Sequence, residues 1–260
     1  LALGQVLLMI GSPTAATLFT VIALLICAAM LPVTATRLQQ PEVPSVPRLT
    51  LARLYAVAPV ATVAAGLSGL AMGAFWGLLP VFAVQIGVRD DGVPLFMLVA
   101  IAGGALLQWP LGRISDGHDR RIGLLCLSLA AAMVAVFAAL PPIQQQLHLM
   151  FGLVFCYGGL VFALYPFAVA HMLDYLPGED LLSGCSSLLL VHGVGAAIGP
   201  ALAGTLMDRV GAPALPLYFA TVLLCLAAFV GMRLLRHTRP RPHPAPFRPM
   251  LRTTPSALAL

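Results

Sequence analysis

The 260-residue chain is 60% hydrophobic and 9% charged, with a mean hydropathy of +0.98. Soluble domains carry about 25% charged residues, so this composition excludes an ordinary soluble protein and predicts an integral membrane protein. The net charge of +5 comes from fourteen arginines and nine acidic residues, and it does not by itself indicate nucleic-acid binding. The five cysteines stand singly in apolar runs, which predicts hydrophobic packing and neither a metal site nor a cofactor.

Seven apolar segments are long enough to be membrane helices, because about 20 helical residues cross about 30 Å of hydrocarbon. In chain order they are 17–33, 54–86, 94–111, 122–140, 147–173, 181–206 and 214–235. Residues 1–12 are apolar but shorter, and are interpreted as the end of a helix whose beginning is missing. The predicted fold class is therefore all-α.

Two proline-rich stretches interrupt the apolar pattern. In residues 36–52, Pro41, Pro44 and Pro47 recur at every third position, which favours an extended linker over a helix. Residues 237–260 alternate arginine, proline and histidine. They are predicted to form a disordered basic tail that contacts anionic lipid.

The arginines orient these helices. If the linker at 36–52 is cytoplasmic, alternation of the spans places twelve arginines inside and only Arg89 and Arg209 outside. Cytoplasmic loops of membrane proteins are enriched in basic residues, so the linker, the loop at 113–121 and the tail are all predicted to be cytoplasmic. The expected location is the bacterial cytoplasmic membrane.

A compact charged turn lies between two of the spans. Its pattern is Gly-x-Ile-x-Asp-x-x-x-Arg-Arg, carried by Gly112, Asp116, Arg120 and Arg121. This pattern resembles the loop signature of the major facilitator superfamily, although Gly117 and Asp119 depart from it. The resemblance implies a latch at the cytoplasmic face that closes in one transport state; an ordinary positively charged turn is the alternative.

The resemblance extends to two further strings, Tyr165-Pro166-x-Ala168-Val169-Ala170-His171 and His192-Gly193-x-Gly195-x-x-x-Gly199-Pro200-x-x-x-Gly204. They are similar to the tenth and eleventh helices of the YcaD-like branch of this superfamily. The resemblance implies a six-helix bundle at 53–236, preceded at 1–35 by the end of helix five and by helix six of another bundle. Helices one to four are then expected to be absent, and this chain alone to be inactive.

That family implies alternating-access transport of a small solute across the bilayer, in which two bundles rock about a midplane site. Polar residues inside spans are the candidates for the path. They are His192, Gln108, Tyr157, Tyr165, His171 and Asp174. His192 is the best placed and could carry a coupling proton or be a neutral packed ring, and His171 with Asp174 could form an ion pair near the membrane boundary.

The glycines around His192 favour close helix packing, because their spacing does not fit a dinucleotide-binding fingerprint. The predicted packing set is Gly193, Gly195, Gly199, Pro200 and Gly204. Two other function classes stay open: a non-transporting membrane scaffold, and an intramembrane enzyme. The enzyme is less favoured, since Ser183, Ser186 and Ser187 precede His192 without a nucleophile turn. The substrate, the coupling ion and the direction of transport do not follow from the sequence.

Overall fold

A computed structural model describes residues 2–10, 16–36, 50–115, 119–177 and 180–236. Within these ranges the regular structure is helical, apart from one short 3₁₀ turn at Asp90–Gly92. The α-helices are α1 Ala2–Ile10, α2 Ala16–Ala35, α3 Leu51–Val57, α4 Pro59–Gln85, α5 Val93–Ser115, α6 Arg120–Ala139, α7 Pro141–Gln144, α8 Leu147–Leu173, α9 Leu181–Val210 and α10 Ala214–Arg236. The all-α prediction is confirmed.

Six of these helices are long and apolar enough to cross a membrane: α4, α5, α6, α8, α9 and α10. The seventh predicted span, 17–33, lies within α2. Helix α2 is 20 residues long and contains Pro32 near its end, so its length is close to the roughly 20 residues that a span needs. The seventh span stays a prediction.

The six long helices pack as one bundle. Helix α4 contacts α8, α9 and α10, whereas α8 also contacts α5 and α6, and α6 contacts α10. Their buried faces share one hydrophobic core that includes Phe75, Leu124, Leu164 and Leu223. Helix α1 packs along α5, while the described side chains of α2 are almost all exposed. Exposed leucines on the outer surfaces fit a lipid environment.

Several element boundaries differ from the predictions, and two of them are set by proline. The span predicted at 54–86 is broken at Ala58, where the backbone leaves the helical region (φ −130°, ψ 64°), and α4 begins at Pro59. Proline disfavours a helical residue before it and suits the first position of a helix. The turn predicted at 141–146 contains the short helix α7, which begins at Pro141 for the same reason.

The two proline-rich segments lie mostly outside the described residues. The linker predicted at 36–52 is described only at Thr36 and from Thr50 onwards, where the Thr50 side chain caps α3 by accepting a hydrogen bond from the Arg53 amide at 3.4 Å. Helix α3 therefore begins one residue before the predicted end of the linker. The tail predicted at 237–260 lies entirely outside the described residues.

One end of the bundle collects charged groups, and we call it the basic end. It comprises the starts of α4, α6 and α9 and the ends of α5, α8 and α10. An Arg53–Asp180 ion pair at 3.4 Å and an Arg120–Asp174 ion pair at 2.9 Å link these helix ends. Arg89 follows α4 at the opposite end, where it pairs with Asp91 at 3.2 Å.

Candidate functional site

A small polar cluster lies where α4, α8 and α9 meet. Nδ1 of His192 is 3.3 Å from Oγ of Ser68 and 3.2 Å from the carbonyl oxygen of Ala65. The ring of Tyr165 lies against the imidazole, with ring centroids 4.5 Å apart and an interplanar angle of 49°. His192 and Tyr165 are partly buried, while Ser68 is fully buried. We call Ser68, Tyr165 and His192 the central cluster.

The hydrogen bonds define which nitrogen of His192 carries the proton. A carbonyl oxygen only accepts, so Nδ1 donates to Ala65, and the Ser68 hydroxyl likewise donates to the Ala65 carbonyl at 3.1 Å. In the neutral ring, Nε2 then holds the lone pair. Among the described residues, Nε2 makes no hydrogen bond, so it is the atom of this cluster that can take up a proton or accept a bond from a solute.

The cluster lies at mid-depth in the bundle. His192 is eleven residues after the start of α9 and Ser68 is nine residues after the start of α4. At 1.5 Å per residue these positions are about 17 Å and about 14 Å from the basic end. Both depths are close to half the thickness of a hydrocarbon core, which is about 30 Å. The lengths of the helices thus fit a cluster near the centre of a membrane.

Close approach of α4 and α9 brings His192 to its partners. A side chain at Gly69 would overlap the backbone carbonyl of His192, and one at Gly73 would overlap that of Ala196. Glycine is required at both positions, because a Cβ atom would force the two backbones apart. The contact lets the imidazole reach the turn of α4 that holds Ala65 and Ser68.

The glycines predicted on α9 fall into two groups. Cβ atoms at Gly195 and Gly199 would overlap backbone carbonyls of α4, and Pro200 lies beside Gly77. In contrast, a Cβ at Gly193 would meet no atom within 4 Å, and one at Gly204 would make only an ordinary 3.9 Å contact. Among the described residues, Gly193 therefore packs against no other helix: it lies on the exposed side of α9, two residues from Gly195.

The serine–histidine pair does not have the arrangement of a hydrolase. The Ser68 hydroxyl is fully buried and its proton points to the Ala65 carbonyl. A nucleophile needs a base that accepts its proton, but here Nδ1 is itself a donor. Ser186, one of the serines considered from the sequence, donates to the Leu182 carbonyl at 2.9 Å within its own helix.

The other candidate path residues lie away from the central cluster. Tyr157 is stacked in the core between Phe75 and Phe219, and its buried hydroxyl has no hydrogen-bond partner among the described residues. Gln108 is exposed on α5 and lines a separate cavity of about 200 Å³, which it shares with Gly112 and Arg120. Of the six predicted residues, the structure thus brings together only His192 and Tyr165.

His171 and Asp174 do not form the predicted ion pair. Asp174 instead accepts a hydrogen bond from Nε of Arg120 at 2.9 Å. The ring of His171 packs edge-on against Tyr175, with centroids 5.0 Å apart. The pair was considered because the residues are three apart, and the backbone is still helical at Asp174 (φ −67°, ψ −15°), but the Arg120 guanidinium holds the Asp174 carboxylate instead. Burial raises the pKa of Asp174 above its ordinary value, and the Arg120 charge opposes that shift.

The structure describes the charged turn up to residue 115 and again from residue 119. Gly112 lies in α5, Arg120 begins α6, and Asp116 lies outside the described residues. Arg120 joins the start of α6 to the end of α8 through Asp174. This contact is within one bundle.

Asp119 was noted in the sequence only as a departure from the family pattern. Its carboxylate caps α6 by accepting from the Arg121 amide at 3.0 Å, and it pairs with the Arg121 guanidinium at 2.7 Å. Burial acts to raise the pKa of Asp119, but these hydrogen bonds outweigh it and the pKa is lowered. An aspartate directly before a helix is a standard capping signal that would have identified this role.

The described residues show no group of three histidine, cysteine or acidic side chains that could hold a metal ion. The chemistry available at the centre of the bundle is therefore that of an imidazole, a hydroxyl and an aromatic ring. These groups can bind a small polar solute or a proton.

Comparison with known proteins decides the family. The model of the Major Facilitator Superfamily matches residues 61–259, which is more than half of the chain. The chain belongs to the major facilitator superfamily. Membership agrees with the six-helix bundle and with the loop pattern from Gly112 to Arg121, and it makes the chain a multi-pass membrane protein of a family of transporters.

Relatives within the superfamily include bacterial transporters. The chain is 26% identical over 181 residues to an uncharacterized MFS-type transporter of Enterobacter sp. (strain 638), covering 68% of this chain and 45% of that protein. It is 28% identical over 182 residues to the uncharacterized MFS-type transporter YcaD of Salmonella paratyphi B and of Salmonella newport, covering 68% of this chain and 44% of each. The chain thus spans less than half the length of these relatives. No solved structure matches it.

Two contacts between helices of this bundle were not predicted from the sequence. Ser68 is a single serine in an apolar span, and its contact to His192 joins residues 124 positions apart. Asp180 pairs with Arg53 across 127 positions. No local signal indicates such pairings, because they depend on how the helices pack.

Proposed function

We propose that this protein moves a small polar solute across the bacterial cytoplasmic membrane by alternating access, with the central cluster as part of its binding site. The observation that carries the proposal is a polar cluster at mid-depth in an apolar bundle of a transporter family. Polar groups are costly in hydrocarbon and tend to face a cavity or a partner. In transporters, substrate sites lie near the bilayer midplane.

His192 is the residue we assign to the coupling proton. Its Nδ1 is fixed by Ala65 and Ser68, which keeps the ring in one orientation and leaves Nε2 to gain and lose a proton. The Tyr165 ring covers one face of the imidazole, and aromatic faces stabilise a cation. Protonation of Nε2 thus changes the charge of the site without breaking its contacts to α4.

The charged turn is the second part of the proposal. We assign Asp116 to a latch that closes on a second bundle in one transport state. The Arg120–Asp174 pair holds the start of α6, which follows this turn, against the end of α8. The latch then biases the equilibrium between states, and the central cluster supplies binding.

The unit of transport is larger than the six helices described. Alternating access needs two bundles that rock against each other, and this chain spans less than half of its relatives. We therefore propose that these 260 residues alone do not transport and that the domain division at residues 1–35, 36–52, 53–236 and 237–260 reflects two bundles. Saturable uptake by the reconstituted 260 residues would contradict this.

A proton-flux assay tests the proposal. The protein, as its gene encodes it, is reconstituted in vesicles that contain a pH-sensitive dye and is challenged with a panel of small polar solutes. We expect saturable, solute-dependent proton movement that His192→Gln abolishes. His148→Gln, an exposed histidine at the opposite end of the bundle, is the matched control and should behave as the wild type. Solute uptake without proton movement would refute the role of His192, and no uptake of any solute would favour a scaffold.

A further inference from the structure

A separate cavity opens at the basic end, about one half-membrane away from the central cluster. Its volume is about 150 Å³ and its polar lining comes from four elements: Tyr55 of α3, Arg121 of α6, His171 and Tyr175 at the end of α8, and Arg233 of α10. The two arginines carry a positive charge, and His171 and the two tyrosines can donate hydrogen bonds. No carboxylate is among the described residues that line it.

The positive charge of this cavity is only partly neutralised. Arg121 is paired with Asp119 at 2.7 Å. Arg233 lies over the ring of Phe229, with its guanidinium carbon 5.5 Å from the ring centroid. Among the described residues, Arg233 has no acidic partner within ion-pair distance. One guanidinium at the rim is therefore available to an anion.

His171 supplies an independent indication of a ligand. The residue is 4% exposed and lines the cavity, but within the described part of the chain its ring nitrogens make no hydrogen bond. Neither ring nitrogen is sealed off from solvent, so the ring opens into the cavity and its N–H can donate there. A group that accepts hydrogen bonds inside the cavity would satisfy this ring.

We propose that this cavity binds a phosphate group, held by Arg233, His171 and the hydroxyls of Tyr55 and Tyr175. Phosphate oxygens accept several bonds at once, and arginine matches their geometry and charge. Tyr55 is 45% exposed, so the cavity communicates with the surface where α3 lies. The phosphate can come from a lipid headgroup or from a free solute.

Binding to the purified protein in a maltoside detergent, which contains no phosphate, tests this proposal in two arms. One arm titrates inorganic phosphate by calorimetry, with chloride at equal ionic strength as the reference. The other titrates short-chain phosphatidylglycerol and counts bound lipids by native mass spectrometry. Phosphatidylglycerol binding alone identifies a lipid site, and inorganic phosphate binding identifies a site for a free phosphate.

In whichever arm shows binding, Arg233→Gln should weaken it by about tenfold or more, since a hydrogen bond to a charged group is lost. Arg236→Gln is the matched control: Arg236 lies on the same last turn of α10 but is exposed and does not line the cavity. It should bind as the wild type does. His171→Gln is a second test if Arg233→Gln is not monodisperse on size exclusion, and it should also weaken binding. No binding in either arm, or equal losses for Arg233→Gln and Arg236→Gln, would overturn the proposal.

Discussion

Substituting a glycine at the contact between α4 and α9 should destabilise the bundle, whereas the same change two residues away should not. In Gly195→Ala, the new Cβ would overlap the carbonyl oxygen of Gly66 and lie 2.9 Å from the amide nitrogen of Leu70. Both neighbours are backbone atoms that cannot rotate away, so the helices must separate. Overpacking of this kind costs about 1–3 kcal/mol. We expect a loss of that size in the free energy of unfolding.

Gly193→Ala is the matched control on the same helix. A Cβ there meets no atom within 4 Å, and replacing a helical glycine by alanine gains up to about 1 kcal/mol. The two variants should therefore differ by about 1–4 kcal/mol. Titration with sodium dodecyl sulfate in mixed micelles, followed by circular dichroism, measures this difference. If both variants unfold at the same detergent fraction, the close approach of α4 and α9 at this position is wrong.

Three further predictions concern the charged residues at the two ends of the bundle. Asp119→Ala should lower the free energy of unfolding by about 1 kcal/mol at neutral pH, since it removes a helix cap. This loss should shrink below about pH 4, because a carboxylate with a lowered pKa stabilises the protein only while it is ionised. Cysteine labelling of intact cells from outside should reach Arg89→Cys but not Arg236→Cys, and the reverse result would invert the predicted topology. Arg120→Gln should remove the ion pair of the Asp174 carboxylate, whose side chain is 35% exposed, and shift spin-label distances between bundles. Unchanged distances would leave the charged turn without a role in switching.

The spans were predictable because hydropathy and proline positions are local properties. Apolar runs predicted the six long helices of the bundle. The break before Pro59 was also predictable, because proline disfavours a helical conformation in the residue before it. The segment at 17–33 forms most of the helix α2, which continues through Pro32 to Ala35. Helices α5 and α9 each end four residues after the predicted ends of their spans at 111 and 206, because hydropathy marks where a helix leaves the hydrocarbon and not where the helix stops.

The candidate site was only half predictable. His192 was identifiable because an ionisable residue inside a span is costly and therefore informative. Its partner Ser68 was not, since the contact depends on Gly69 allowing two distant helices to meet. Asp174 shows the opposite error: its spacing from His171 suggested a local pair, but a residue 54 positions away took the contact. Local spacing does not show which charged residue of another helix comes close once the helices pack.

Accessibility of the central cluster from the two sides of the membrane tests the transport proposal most directly, because it does not require a known substrate. Tyr165→Cys is introduced into the gene-encoded protein after its native cysteines are replaced by serine, and a membrane-impermeant maleimide is applied to intact cells and to inside-out vesicles. Tyr165 contacts His192 at mid-depth, so alternating access predicts labelling from both sides. Labelling from one side only, or from neither, would contradict a path that opens alternately to the two faces of the membrane.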